Sequence, residues 1–409
     1  MLQFIWLGFF VVGLLFALFQ LIFGHQYTIF NQLAEALFSM AKTGFELGLG
    51  LAGIMSLWLG LLKIAEKSGL VEWLSLRISP FFSVLFPSVP AGHPAQGSML
   101  LNFAANMLGL DNAATPLGLK AMEELQNINP EKDTASDAQI LFLLLNASGL
   151  TIVPISIMAY RAQLGAASPS DVFLPILFAT FASTITVLTL TAFRQKLPVW
   201  RPVFLIPFLL LLSTVVAGVT VVAGWSSMKL NLASSMVGNG FLAFLVVGIL
   251  VYGARKKVHV FDAFVEGAKE GFPLSLNVIP FLIAMLCAIA FFRASGALDL
   301  CLNGIRYLVA VLGLNDAFVP AIPTMLLKPL SGAGSRGMML DAMKNLGPDS
   351  FAGRLSCIVQ GSADTTFYIL TVYFGAVRIK KFRYTLGYSL LGDLAGFVAA
   401  VFVAYLFFA

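Results

Sequence analysis

The chain has 409 residues, of which 59% are hydrophobic and only 11% charged, and its mean hydropathy is +0.90. That balance excludes an ordinary soluble globular domain and defines an integral membrane protein. The net charge of +5 is read as basic loops at membrane-spanning segments, with no nucleic-acid partner implied.

A spanning helix needs roughly 20 mostly apolar residues, and nine stretches are predicted to cross: 2–23, 44–65, 138–160, 172–193, 202–223, 233–254, 274–292, 352–374 and 385–408. The first is too long for the apolar core of a signal peptide and lacks a basic start and a small-residue cleavage site, so it is expected to be retained. Between 65 and 138 the apolar pieces 81–90 and 97–110 are too short to cross, and Pro87, Pro90, Pro94, Gly92 and Gly97 interrupt them. A re-entrant hairpin is expected there, since irregular backbone at that depth survives only inside protein or against a wet cavity. Asn102 and Asn106 stand four apart on one helical face, where they either contact a solute or hydrogen-bond between helices. Asp111 and Asn112, ahead of Thr115-Pro116, are either an ordinary helix start or substrate contacts.

The second half repeats the first. "AKTGF" at 41–45 is answered by "AKEGF" at 268–272, an offset of 227, and "LGLKAMEEL" at 117–125 by "GMMLDAMKNL" at 337–346. Then "LLNASGLTIVPI" at 144–155 aligns with "IVQGSADTTFYI" at 358–369, pairing Asn146 with Gln360, Ser148 with Ser362 and Thr151 with Thr365. The falling offset shortens the loops of the second half. Lys and Arg gather in cytoplasmic loops; placing "RQKLPVWR" (194–201), "RKK" (255–257) and "RIKKFR" (378–383) inside leaves 161–171, the counterpart of the last, outside. The halves are therefore expected to be inverted, as in transporters with a site near the bilayer midplane: a first repeat over 1–195, a linking helix over 196–228 and a second repeat over 229–409.

"PLSGAGSRG" at 329–337 contains a G-x-G-x-x-G. A dinucleotide-binding reading fails, because such a motif follows a strand, and here Pro320, Pro323 and Pro329 precede it between membrane helices. The glycines are instead expected to expose amides at a helix start that favours an anionic or polar ligand, with Ser331, Ser335 and Arg336 as added donors. Arg336 and Lys328 serve function or snorkel to an interface. "QGSADTTFY" at 360–368 puts Gln360, Ser362, Asp364, Thr365 and Thr366 within two turns of a predicted span, and Gly361 permits local unwinding. An intramembrane Asp is a candidate site residue by default, the alternative for Asp364 being a structural ion pair with Arg336 or Lys328.

Three cysteines without C-x-x-C spacing (Cys287, Cys301, Cys357) and three scattered histidines predict buried packing thiols and no metal or catalytic cluster. No cofactor is implied.

These motifs also carry a resemblance. "NFAANMLGLDNAATPLGLKAMEEL" and "LLNASGLTIVPISIMAYR" look like spore maturation protein A, whereas "KPLSGAGSRGMMLDAM" and "GPDSFAGRLSCIVQGSADTTFYILTVYFGAVRIKKFRYTL" look like spore maturation protein B. The chain resembles fused forms of that pair, in the nucleoside-recognition or Gate group. The resemblance implies an all-α, inverted-repeat Gate-type membrane fold and, by analogy, solute movement. The expected function is a permease of the bacterial inner membrane, with no catalysis, moving a small polar solute or envelope precursor; the alternative is a non-transporting scaffold of an envelope complex. Its expected partners are the lipid bilayer, that solute and, as a homo-oligomer, further copies of itself. The substrate-binding set expected is Asn102, Asn106, Asn112, Thr115, Asn146, Ser148, Ser331, Ser335, Arg336, Gln360, Ser362, Asp364 and Thr365.

Overall fold

A computed structural model describes residues 2–90, 92–107, 111–150, 152, 154–222 and 224–408; for Leu2, Ser75, 111–113 and several positions between 207 and 231 it describes backbone alone. The first part of the chain forms α1 (Leu2–Phe23), α2 (Ile29–Lys67), α3 (Leu70–Leu85), α4 (Pro94–Met107), α5 (Asp111–Asn127), α6 (Asp137–Ala147), α7 (Ile155–Gln163), α8 (Phe173–Gln195) and α9 (Pro202–Val222). The rest forms α10 (Ser227–Arg255), α11 (Val260–Lys269), α12 (Gly271–Ala294), α13 (Ala297–Val311), α14 (Ile322–Leu327), α15 (Gly332–Leu346), α16 (Phe351–Gly361), α17 (Thr366–Ala376) and α18 (Thr385–Phe408). Among the described residues there is no strand, only an isolated bridge between Thr134 and Lys381. The protein is an all-α membrane protein.

Among the described residues, six helical stretches are long and apolar enough to cross a bilayer: Gln3–Phe23, Ile29–Lys67, Phe173–Gln195, Met228–Arg255, Val260–Ala294 and Thr385–Phe408. In α1 the side chains of Phe4, Leu7, Val11, Leu15, Phe19 and Phe23 are all exposed. A helix apolar all round with its side chains outward belongs in lipid. The predicted span 44–65 is the inner part of the 39-residue α2, whose start is too polar for a hydropathy reading to include. The predicted spans 138–160 and 352–374 are not continuous. The first is α6 and α7, of 11 and 9 residues, and the second is α16 and α17, of 11 residues each. At 1.5 Å per residue each piece covers about half of a hydrocarbon core of about 30 Å.

The interrupted region begins as its prolines dictate. α3 stops at Leu85, two residues before Pro87, and α4 opens on Pro94, where a missing amide costs nothing. Of the cysteines, Cys357 is buried and Cys287 half-buried, but Cys301 is exposed. Its apolar surroundings are those of a lipid-facing helix side, shared with the exposed Leu300, Leu308 and Val311 of α13.

The chain divides into two compact units, and each takes helices from both halves of the sequence. The first comprises Met1–Gly60, Ser156–Pro169 and Phe264–Gln360; the second comprises Leu61–Ile155, Ser170–Ala263 and Gly361–Ala409. In the first unit α12 is the centre, packed by α1 and α15. Gly44 of α2 lies so close to α12 that an added Cβ would stand 3.1 Å from the Ile283 backbone nitrogen.

The second unit holds an aromatic core of Phe82, Phe103, Phe142, Tyr373 and Phe374, in which Phe103 meets Phe142 edge-on at 5.6 Å. Beside it α8 and α18 pack along their length. Gln195, at the end of α8, donates to the Tyr384 hydroxyl just before α18 at 2.8 Å. Further along, Val187 faces Gly392 and Ser183 faces Gly396. Residue numbers fall along one helix as they rise along the other, so the two are antiparallel. α8 and α18 hold equivalent places, each following a broken helix, and antiparallel equivalents are what inverted repeats produce.

Candidate functional site

The first break follows from its sequence. Ser148 ends α6, and Gly149 takes the left-handed conformation, φ +62°, the usual way of closing a helix with glycine. Pro154 then precedes α7. The second break runs from Ser362 to Thr365, after α16 ends on Gly361. Inside the second unit the two breaks touch through backbone: the Asp364 amide donates to the Ala147 carbonyl at 2.8 Å. An added Cβ on Gly149 would stand 2.8 Å from both Ala363 C and Asp364 N, so only glycine fits that crossing.

Each break is served by the spanning helix that follows it, with chemistry matched to the helix end exposed. Helix C-termini leave carbonyls without partners and N-termini leave amides. At the end of α6, Thr180 of α8 donates to the Gly149 carbonyl at 2.8 Å, with the Ser148 carbonyl 3.3 Å from the same hydroxyl, and the Thr184 hydroxyl donates to Ser148 Oγ at 3.1 Å. At the start of α17, Thr365 occupies the cap position without a side-chain cap bond. There the buried Asp393 of α18 accepts from Thr366 Oγ1 at 2.7 Å. An anion at a helix N-terminus is favoured by the dipole.

The expected site residues divide between the units. In the second unit, Asn106 donates to Asn146 Oδ1 at 2.8 Å, and Asn146 Nδ2 donates to the Phe142 carbonyl at 2.9 Å. Asn102, fully buried, donates to the Ala114 carbonyl at 2.7 Å, and its Oδ1 has no partner among the described residues. Ser148, Ser362 and Thr365 are buried at the breaks, Thr115 is half-buried on α5, and Asp364 is exposed with Oδ1 accepting from the Thr365 amide at 2.7 Å. The side chain of Asn112 and residue Thr151 lie outside the described residues.

In the first unit, the glycine motif opens α15: Ser331 caps it by accepting from the Gly334 amide at 3.0 Å. Ser335 Oγ lies 3.0 Å from the Thr324 carbonyl and 2.7 Å from Gln360 Oε1. One hydroxyl proton cannot serve two acceptors, so the Gln360 amide is better turned to donate its NH₂ to Ser335. Arg336 meets the buried Tyr160 hydroxyl, and Lys328 is buried.

The buried charged groups that the sequence reading does not single out include Asp393, Asp341 and Arg161. Asp393 was overlooked because it sits singly in an apolar span, although an intramembrane acid is itself a signal. Asp341, 2% exposed, pairs with Arg293 and accepts from Asn345 Nδ2 at 2.7 Å. Arg161, 0% exposed, donates to the carbonyls of Pro348 (2.6 Å), Ser168 and Pro169 and to Asp349 Oδ1 (3.0 Å). Among the described residues no group of three or more His, Cys, Asp or Glu could hold one metal ion. The arrangement offers ordered donors and acceptors at helix ends, the chemistry of binding a polar solute.

The family model described as Gate, nucleoside recognition, matches residues 49–194 and 275–380, more than half of the chain. Spore maturation protein B of Bacillus subtilis (strain 168) is 45% identical over 167 residues, 41% of this chain and 92% of that protein. Spore maturation protein A of the same organism is 40% identical over 185 residues, 45% of this chain and 91% of that protein. No solved structure matches the chain significantly.

Proposed function

The chain belongs to the Gate, or nucleoside-recognition, family and is related to spore maturation proteins A and B, and from that premise we propose that this multi-pass membrane protein is a permease of the bacterial inner membrane for a small polar solute or envelope precursor. The observation that carries the reading is the pair of helices broken mid-way and joined backbone to backbone, Asp364 amide to Ala147 carbonyl. A continuous helix satisfies its own backbone; a broken one exposes carbonyls and amides that are tolerated in a membrane only inside protein or against a polar passage. Here α8 and α18 satisfy part of that demand, and Asn106, Asn146, Asp364 and Thr365 supply further polar groups at the same crossing. Half-helix ends of this kind bind solutes in transporters without help from a cofactor. In the first unit, Ser331, Ser335 and Arg336 at the start of α15, with Gln360 of α16, form a separate cluster whose donors suit an anionic or carbonyl-bearing solute.

The test begins with the purified protein and a panel of nucleosides, amino acids, divalent metals and lipid-linked wall precursors, read by thermal stabilisation. Asn146→Ala and Asp364→Ala are run beside the parent, and any hit is carried into uptake by proteoliposomes. A compound that stabilises the parent, loses at least tenfold in apparent affinity in either folded variant and is taken up supports the permease. Absence of any stabilisation or uptake, with both variants merely less stable, favours a scaffold for an envelope complex.

A further inference from the structure

We propose that the face of α18 around Asp393 is a binding site for a monovalent metal cation, sodium in the first instance. Ser389, Gly392, Asp393 and Gly396 are spaced three and four apart and so share one helical face. The two glycines let that face lie against α8 and the second break. An added Cβ on Gly396 would stand 3.3 Å from Ser183 Cβ and 3.3 Å from both the carbonyl oxygen and Oγ of Ser362. One on Gly392 would stand 3.4 Å from Ser183 Oγ. Asp393 Oδ2 accepts from Thr366 Oγ1 at 2.7 Å. Oxygen atoms from α8, α18 and the break thus lie along the helical face that carries one buried carboxylate, which α17 reaches through Thr366, all inside the second unit.

The independent observation is that two of these oxygens are unused. Among the described residues, Ser183 Oγ on α8 and Ser389 Oγ on α18 have no hydrogen-bond partner, in residues 0% and 2% exposed. A serine hydroxyl can nearly always reach a carbonyl of its own helix, and leaving a buried one unpaired is costly. Two such hydroxyls on the face that carries a buried carboxylate are what a cation would use as ligands. The charge count chooses the ion: one carboxylate and otherwise neutral oxygens balance a single positive charge, whereas calcium and magnesium draw on more carboxylates and softer metals on nitrogen or sulfur. Asp393 also lies at the α17 N-terminus, whose dipole favours the carboxylate over the ion. The ion's other contacts are therefore the hydroxyls and the Ser362 carbonyl. The site's existence does not rest on the transport reading; its service as a coupling site does.

The experiment uses the full purified chain, thermally unfolded in sodium chloride against choline chloride at constant total salt, with calcium chloride as a separate titration. Sodium is expected to raise the unfolding temperature saturably where choline does not. Asp393→Asn is expected to raise the half-saturating concentration at least tenfold. Ser183→Ala and Ser389→Ala remove only unpaired hydroxyls, so they are expected to fold as well as the parent in choline and to weaken sodium binding at least threefold. Equal stabilisation by choline, saturation by calcium instead of sodium, or parent-like half-saturation in any variant that folds would overturn the proposal. If Asp393→Asn does not fold, the two serine variants decide alone. Sodium binding without solute uptake in proteoliposomes keeps the site and removes the transport reading; uptake with no sodium effect on stability does the reverse.

Discussion

At Gly149 two demands meet in one residue: a left-handed backbone, φ +62°, and room for the Ala363–Asp364 peptide to lie where a side chain would stand. Gly149→Ala adds about 1–2 kcal/mol for the conformation alone, before any overlap with backbone that cannot move aside. It is expected to destabilise more than Thr180→Val, which leaves the Gly149 carbonyl short of a donor at about 1–3 kcal/mol. Thermal unfolding of both variants in one detergent checks the order, and a Gly149→Ala protein as stable as the parent would remove the close crossing. Outside the membrane, Asp133 hydrogen-bonds with Lys381, which holds its carboxyl below the ordinary value of 3.8. A depressed carboxylate stabilises the fold fully above its unfolded pKa and loses that contribution as pH falls through the folded one. Lys381→Met should therefore flatten the stability profile only on the acid side, below about pH 4, and leave it parallel to the parent's near neutrality.

At the level of elements, legibility followed the number of residues that carry each signal. α1, α8, α10 and α18 were readable because some twenty apolar residues in a row have one solution in a bilayer. The prolines bounding α3 and α4 and the glycine motif opening α15 were readable because each acts on its own backbone. The first break was not, although Gly149 and Pro154 stand five apart in it, because the flanking apolar runs sum to one apparent span and hydropathy is blind to a turn inside them. Asp364 was legible as a charge in a span, and Asp393 was equally so by that rule. What no sequence pattern shows is the pairing: that Thr180 serves the α6 carbonyls and Asp393 the α17 start depends on which helices become neighbours. The pairing predicts an asymmetry. Thr366→Val removes the hydroxyl that bonds Asp393 and should raise amide hydrogen exchange at the first turn of α17 while leaving α6 protected. Equal loosening of both helices would mean that the breaks form one rigid crossing rather than two separately capped ends.

At the scale of the second unit the antiparallel course of α8 and α18 agrees with what the charges of the loops suggest. Gln195 of α8 and Tyr384 before α18 meet at one end of the second unit. There Asp137 also accepts from Arg383 at 2.7 Å, so the loops near 137, 195 and 383 share a side. α8 itself is 23 residues long, about 34 Å, so its start at Phe173 lies at the other end of that unit. The basic clusters 194–201 and 378–383 then lie together at one end of that unit, which the preference of Lys and Arg for cytoplasmic loops predicts to be the cytoplasmic end, with 161–171 expected outside. Paired cysteines test this in intact cells: Ala167→Cys and Lys380→Cys, both at exposed positions, each in a background with the exposed Cys301 replaced by serine. A membrane-impermeant thiol reagent is expected to label position 167 from outside and position 380 only after the cells are opened. Labelling of both from the same side would contradict the inverted arrangement directly, because the equivalent helices would then have to enter the bilayer in the same direction.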